Sequence, residues 1–401
     1  MTFLHLLRRL FGVLSLAILA LSIYLIWTGY QRADEGDPGL DPALAGEGDE
    51  TRLWLGWGLL ALSFFGRFLW PLLLAKGGGK GPPIQRGEGR EVIGADGSKL
   101  RVEVFGRADA PVLILTHGWG LDSTVWRYAR AHLADRFRLI VWDLPGLGKS
   151  KLPPDGRIQL DRFAEDLRTV IGLAEGRPVV LVGHSIGGMT LQTLAGLRPE
   201  LMGDQVKGLV LLNTTYLRPI RTTAVSGLVQ ALWPVAALMM KLQIWLSPLF
   251  HIMKWQSYQS GQMHMAARIG GFGRHVTRSQ LEHTALLMTK ASPAVEAKGD
   301  FAMMDWDVSR KLPEIRVPTL VVVGDKDLIT RPDAGETIAG LIPGARLQRM
   351  EGCGHMGFYE YSDAYDRAIA DFADQVLGRA TGAGSPRPAS EPLSTPSVRV
   401  H

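Results

Sequence analysis

Two long apolar runs near the amino terminus constrain this chain more than any other feature. From Leu10 to Tyr30, 21 consecutive residues carry no charge. From Leu53 to Ala75, 23 residues are interrupted only by Arg67. In hydrocarbon every backbone N–H and C=O must be satisfied within the segment, so such a run is held to a helix. At about 1.5 Å per residue the first run reaches about 31 Å, the thickness of a hydrocarbon core. Trp54, Trp57 and Trp70 stand where interfacial anchors belong, and Arg67, eight residues before the end, can snorkel toward the side of Lys76. A cleaved signal peptide is the competing reading of the first run, and Arg8-Arg9 gives it a twin-arginine look. The run exceeds the roughly 7–15 residues of a signal core, and a second run follows it.

Charge orients the pair. Residues 31–52 hold two arginines against seven acids, whereas Arg8 and Arg9 precede the first run and Lys76, Lys80, Arg86 and Arg90 follow the second. The positive-inside rule then places 31–52 outside and everything after Lys76 in the cytoplasm, as in a bacterial-type inner-membrane protein. The overall charge of +5 on 401 residues marks no nucleic-acid partner. With 46% apolar and 21% charged residues the chain is neither disordered nor collagen-like. Its single cysteine, Cys353, excludes an internal disulfide framework and reads as a packing residue.

Residues 1–75 therefore read as a transmembrane hairpin with spans near 10–30 and 53–75. The Gly- and Pro-rich stretch 76–90 reads as a flexible linker and 379–401 as a disordered tail. Between them β-branched and Leu-rich runs alternate with helical patterns. Strands are expected at Leu100–Phe105, Pro111–Thr116, Phe137–Trp142, Pro178–Gly183, Val206–Asn213, Val317–Gly324 and Ala345–Met350, with a short one near Glu91–Ile93. Helices are expected near 123–134, 159–173, 186–198, 333–342 and 362–377. Runs such as VLILT and VVLVG suit parallel strands buried on both faces, so 91–216 and 312–378 form an α/β domain. The intervening 217–311 lacks strand signals and is too long for a loop.

The chemistry is concentrated at strand ends. Gly183-His184-Ser185-Ile186-Gly187 lies between a strand and a helical pattern, the setting in which a G-x-S-x-G turn lifts its serine above a sheet. A serine hydroxyl needs a base to take its proton and a carboxylate to orient that base. His355 sits in the Gly-flanked loop Gly352-Cys353-Gly354-His355 after one strand, and Asp325 and Asp327 follow Gly324 after another.

These residues resemble the α/β-hydrolase superfamily over roughly 91–378. The resemblance implies an α/β-hydrolase fold with a mostly parallel central sheet, a helical cap at 217–311, and Ser185, Asp327 and His355 as the catalytic triad. Asp325 is the competing acid, and His184 reads as structural. Thr116-His117-Gly118-Trp119-Gly120 resembles the family's oxyanion loop, so the backbone N–H groups of Trp119 and Ile186 would hold the oxyanion. His117 reads as shaping that loop. Asp143 to Ser150 resembles the family's D-x-x-G-x-G-x-S turn. Its Gly148-Lys149-Ser150 is not a phosphate loop, because the required first glycine is Asp143. No metal-ligand spacing is present, no cofactor is implied, and Asn213-Thr214-Thr215 is a formal sequon closing a core strand.

The resulting expectation is a membrane-anchored serine esterase acting on small-molecule or lipid esters. Carbon–carbon bond hydrolysis and cofactor-free peroxidation use the same triad. A non-catalytic membrane scaffold is the rival of another class, and reactivity of Ser185 separates the two. The cap carries eleven basic against five acidic residues, and Ala224–Trp255 is rich in Leu, Met, Trp and Ala. Those side chains would pack on the main domain around an apolar pocket or rest on the inner leaflet. Gln230, Lys241, Gln243 and two prolines argue against a third span there.

Overall fold

The computed structural model describes residues 2–34, 42–78, 81–378 and 398–400. Helices α1 (Thr2–Asp34) and α2 (Pro42–Leu74) run antiparallel, with Gly29 beside Leu53 and Gly56 beside Ile26. Within them Leu7–Gln31 and Glu50–Leu74 are each long and apolar enough to cross a membrane.

The sheet comprises β1 (Gly89–Ile93), β2 (Lys99–Phe105), β3 (Val112–Thr116), β4 (Arg138–Trp142), β5 (Val179–His184), β6 (Val206–Leu212), β7 (Thr319–Gly324), β8 (Arg346–Met350) and β9 (Val398–Val400). Their order is β1-β2-β4-β3-β5-β6-β7-β8-β9. Strands β4, β3 and β5 to β8 pair in parallel, while β1, β2 and β9 pair antiparallel at the edges. The short β9 lies within a tail whose composition reads as disordered; residues 379–397 and 401 lie outside the described residues.

Alternation in the buried strands builds two cores. In β3, Val112 and Ile114 face one and Leu113 and Leu115 the other. Helices α3 (Arg127–Leu133), α4 (Leu160–Ile171) and α5 (Ile186–Leu197) supply part of the two layers. Phe163 and Leu167 of α4 and Leu191 of α5 fill the first core, Ala129 and Leu133 of α3 the second. The insertion after β6 is helical throughout: α6 (Ser226–Ala231), α7 (Trp233–Trp245), α8 (Ser247–Gln259), α9 (Gln262–Gly271), α10 (Arg278–Lys290) and α11 (Pro293–Met304). Helices α12 (Pro332–Leu341), α13 (Gly357–Glu360) and α14 (Ser362–Val376) complete the layers.

The cap also packs on the amino-terminal hairpin. Ser15 and Ser260 share a hydrogen bond of 2.8 Å, and Arg268 Nε donates to the Leu74 carbonyl at 3.2 Å. A Cβ added at Gly66 would come within 2.2 Å of the Ser260 carbonyl oxygen, so backbone meets backbone there. The Arg67 guanidinium lies over the Tyr258 ring, 5.5 Å from its centroid.

The segment expected to be a flexible linker is pinned. Lys76 N–H donates to Val276 C=O at 2.9 Å, and Arg86 bonds Asp122 at 2.7 Å and Asp143 at 2.8 Å, with Glu103 at 3.3 Å. The chain has already entered β1 by Gly89. Glycine and proline content reports backbone freedom but not the buried carboxylates awaiting a cation.

Candidate active site

Four groups converge at the carboxyl ends of β5 to β8. Ser185 sits between β5 and α5 at φ +54°, a conformation that costs a non-glycine residue on the order of 1–3 kcal/mol. Its surroundings hold it there: Ser185 N–H donates to Leu212 C=O at 3.0 Å, and Thr214 Oγ1 donates to Ser185 C=O at 2.6 Å. The flanking glycines are required by close approach. A Cβ at Gly183 would lie 2.5 Å from the Gly187 carbonyl carbon, and one at Gly187 2.3 Å from the Thr116 oxygen.

His355 follows β8, and its Nδ1–H donates to Asp327 Oδ2 at 2.8 Å. Asp327 follows β7 and is fully enclosed by donors. Ile329 N–H and Thr330 N–H reach Oδ1 at 2.8 and 2.9 Å, and Thr330 Oγ1 and Asn213 Nδ2 reach Oδ2 at 2.8 and 3.1 Å. Burial pushes this carboxyl up. The His355 ring and the hydrogen bonds together outweigh burial and hold it below the usual carboxylate range. Asp325 is directed elsewhere: its Oδ1 accepts from Gly352 N–H at 2.6 Å and shapes the histidine loop.

His184 ties the serine turn to that loop. Its Nε2–H donates to the His355 carbonyl at 2.9 Å, and the two rings lie 4.8 Å apart. Burial, reinforced by the neighbouring His355, keeps His184 neutral. No hydrogen bond joins Ser185 to His355 among the described residues; such contacts tighten in the substrate complex. The backbone N–H groups of Trp119 and Ile186 have no backbone acceptor among the described residues. His117 braces the first of these loops, donating from Nδ1 to Gly118 C=O at 2.8 Å and accepting Leu144 N–H on Nε2 at 3.0 Å.

Two supporting residues escaped the sequence reading. Asn213 ends β6 at φ +46°, donates to Asp327 and to Gly354 C=O at 3.2 Å, and accepts from Tyr365 Oη at 3.0 Å. Its sequon drew attention to the wrong property, whereas its place at a strand's carboxyl end was the usable signal. Glu360 accepts from the N–H groups of Gly354, Gly273 and His275 at 3.0, 2.8 and 2.7 Å, binding the histidine loop to the cap. Cys353 is buried within that loop, and burial raises its thiol far above the reactive range. Among the described residues no three His, Cys, Asp or Glu side chains gather where they could hold a metal ion.

The sequence profile described as "Alpha/beta hydrolase family" matches residues 113–373. The chain belongs to the alpha/beta hydrolase family. A pimeloyl-[acyl-carrier protein] methyl ester esterase of Nitrosospira multiformis is 27% identical over 277 residues, covering 68% of this chain and 98% of that protein. The polyketide synthase ThaQ of Burkholderia thailandensis is 30% identical over 291 residues, where the match covers 71% of this chain but 13% of the synthase. Among solved structures, a hydrolase from Pseudomonas aeruginosa PA01 shares 26% identity at a TM-score of 0.58, covering 72% of this chain and 99% of its own. A thermophilic esterase from Thermogutta terrifontis shares 25% at the same TM-score, with the same coverage. All of these alignments leave more than a quarter of the chain unmatched.

Proposed function

We propose that this hydrolase is a membrane-anchored serine esterase that cleaves carboxylic esters of apolar acyl groups. Ser185 Oγ attacks the ester carbonyl while His355 Nε2 takes its proton. Asp327 fixes the tautomer that leaves Nε2 free and balances the imidazolium that forms. The N–H groups of Ile186 and Trp119 hold the oxyanion. His355 then protonates the leaving alcohol, and water, activated by the same ring, resolves the acyl-enzyme. The observation that carries this reading is the 2.8 Å His355–Asp327 hydrogen bond, set beside a serine on a strained strand-to-helix turn. The esterases among its relatives favour ester hydrolysis over the other reactions open to such a triad. The two apolar helices supply the anchor.

Covalent labelling of the detergent-solubilised protein by a fluorophosphonate probe tests it. Wild type is expected to label, and Ser185→Ala and His355→Ala to lose the label while keeping the wild-type unfolding midpoint. An unlabelled but folded wild type would move the assignment to a binding role.

A further inference from the structure

The contact between the first apolar helix and the cap leaves a partly open cavity of about 120 Å³, apart from the serine turn. Its floor is charged. Arg8 and Lys254 both pair with Glu296, at 3.0 and 2.9 Å. Arg9 donates to neutral groups, Gln243 Oε1 at 2.8 Å and the Ala236 carbonyl at 3.3 Å, with Asp300 near enough to act on it electrostatically. Among the described residues three cations therefore face two carboxylates, leaving an excess of positive charge.

The walls are apolar and flexible, with Val13, Met239, Phe250 and Met253 among them. Val13 also stands exposed on the outer surface of α1 between Leu10 and Leu14, and Leu249 and Ile252 of α8 are exposed nearby in the chain. The cavity thus opens onto an apolar exterior rather than onto a polar one. Arg8 and Arg9 lie at the start of the apolar stretch Leu7–Gln31, and Val13 lies about 6 Å further along the helix at about 1.5 Å per residue. Charge at the membrane edge and apolar wall at greater depth is the polarity gradient of a lipid in the leaflet that holds the amino terminus.

We propose that this cavity binds an anionic single-chain or lipid amphiphile, its acidic head on the Arg8, Arg9 and Lys254 cluster and its chain running past Val13 and Met253 into the hydrocarbon. The proposal rests on reading α1 and α2 as membrane spans, and is independent of the esterase chemistry. The site adjoins the oxyanion loop: Trp119 Nε1 donates to the Glu296 carbonyl at 3.3 Å, and a Cβ at Gly120 would lie 3.3 Å from Glu296 Oε1. An occupant therefore touches the same residue that supports Trp119.

The test uses the full-length protein in non-ionic detergent with an alkyne-tagged palmitic acid carrying a diazirine in its chain. Cross-links are expected in peptides covering 8–14 and 250–263. Unlabelled palmitate should compete about tenfold better than hexadecanol, the loss of roughly one charge-assisted contact. Val13→Trp and Met253→Trp, which fill the cavity, and Arg9→Gln, which removes head-group charge, should each lower cross-linking by about tenfold. Unchanged fluorophosphonate labelling and unfolding midpoint would show these variants folded. In nanodiscs, protection by phosphatidylglycerol would identify bilayer lipid as the occupant, and protection by added fatty acid alone would identify the free acid. Either supports the site. Cross-links spread over the outer faces of α1 and α2 and unmoved by Val13→Trp would overturn it, as would equal competition by hexadecanol. Release of the protein from membranes by alkaline carbonate would instead defeat the membrane reading, with the cross-linking in detergent still interpretable.

Discussion

A carboxylate that orients a histidine must stay ionised where no water reaches it, and Asp327 does so by accepting five hydrogen bonds, one of them from His355. Replacing it by Asn puts an amide opposite Nδ1 and favours the wrong tautomer. Asp327→Asn is expected to lower kcat by about 10⁴-fold, whereas Asp325→Asn, at a loop-shaping position, should leave it within about threefold; steady-state hydrolysis of a p-nitrophenyl ester reads both. Ser185, His355 and the pair of candidate acids were legible in the sequence because each ends a recognisable strand. The choice between two aspartates two residues apart was not, since it depends on Thr330, Asn213 and His355 meeting in space. Asp166 shows the opposite use of burial. Burial first, and then the charge of Asp96, push its carboxyl up to about 7, despite hydrogen bonds from Ser98 Oγ and Ala95 N–H. The folded protein thus holds a proton that the unfolded chain has released, so stability should fall as pH rises from about 4 to about 7, by on the order of 4 kcal/mol. Asp166→Asn should flatten that limb in denaturant titrations across pH; an unchanged limb would exclude Asp166 as its source.

Among the elements, the parallel strands were the most legible part of the chain, because short β-branched and Leu-rich runs such as VLILT, bounded by turn residues, suit a strand buried on both faces. The segment before β1 was the least. Its composition describes a tether, yet Arg86 reaches Glu103 on β2, Asp122 in the loop after β3 and Asp143 after β4. These carboxylates are separated by up to 40 positions in sequence, so no local pattern announces the site. Asp143 in turn accepts Ser123 N–H at 2.7 Å and Lys149 N–H at 2.8 Å, which orders the turns beside the loop that carries Trp119. Removing the cation would leave buried charge uncompensated. Arg86→Ala should therefore cost about 3–5 kcal/mol in denaturant unfolding, while Arg90→Ala should cost less than about 0.5 kcal/mol. Equal effects would mean that the segment acts by tethering alone.

At the scale of the whole molecule, the hairpin and the hydrolase domain form one packed unit. Leu4 packs against both cores, Arg8 reaches α11, and α2 ends against α9 and the strap that follows it. These contacts, with those of Ser15 and Gly66 on Ser260, lie in the first half of α1 or the second half of α2, so the hydrolase domain sits toward the end of the hairpin that carries Arg8, Arg9 and Lys76. The paired Gly29 and Leu53, near the other ends of the two helices, lie at the opposite end. If both helices span, the positive-inside rule puts the domain and the amino terminus in the cytoplasm together. Cysteine labelling in intact bacterial cells reads this directly, because the native Cys353 is buried and gives little background. Glu50→Cys, at the far end of the hairpin, should react with a membrane-impermeant maleimide before the inner membrane is opened. Lys207→Cys, half-buried near the start of β6 where its Nζ reaches the surface, should react only afterwards. The reverse pattern would invert the protein, and labelling of both in intact cells would mean that the hairpin does not cross.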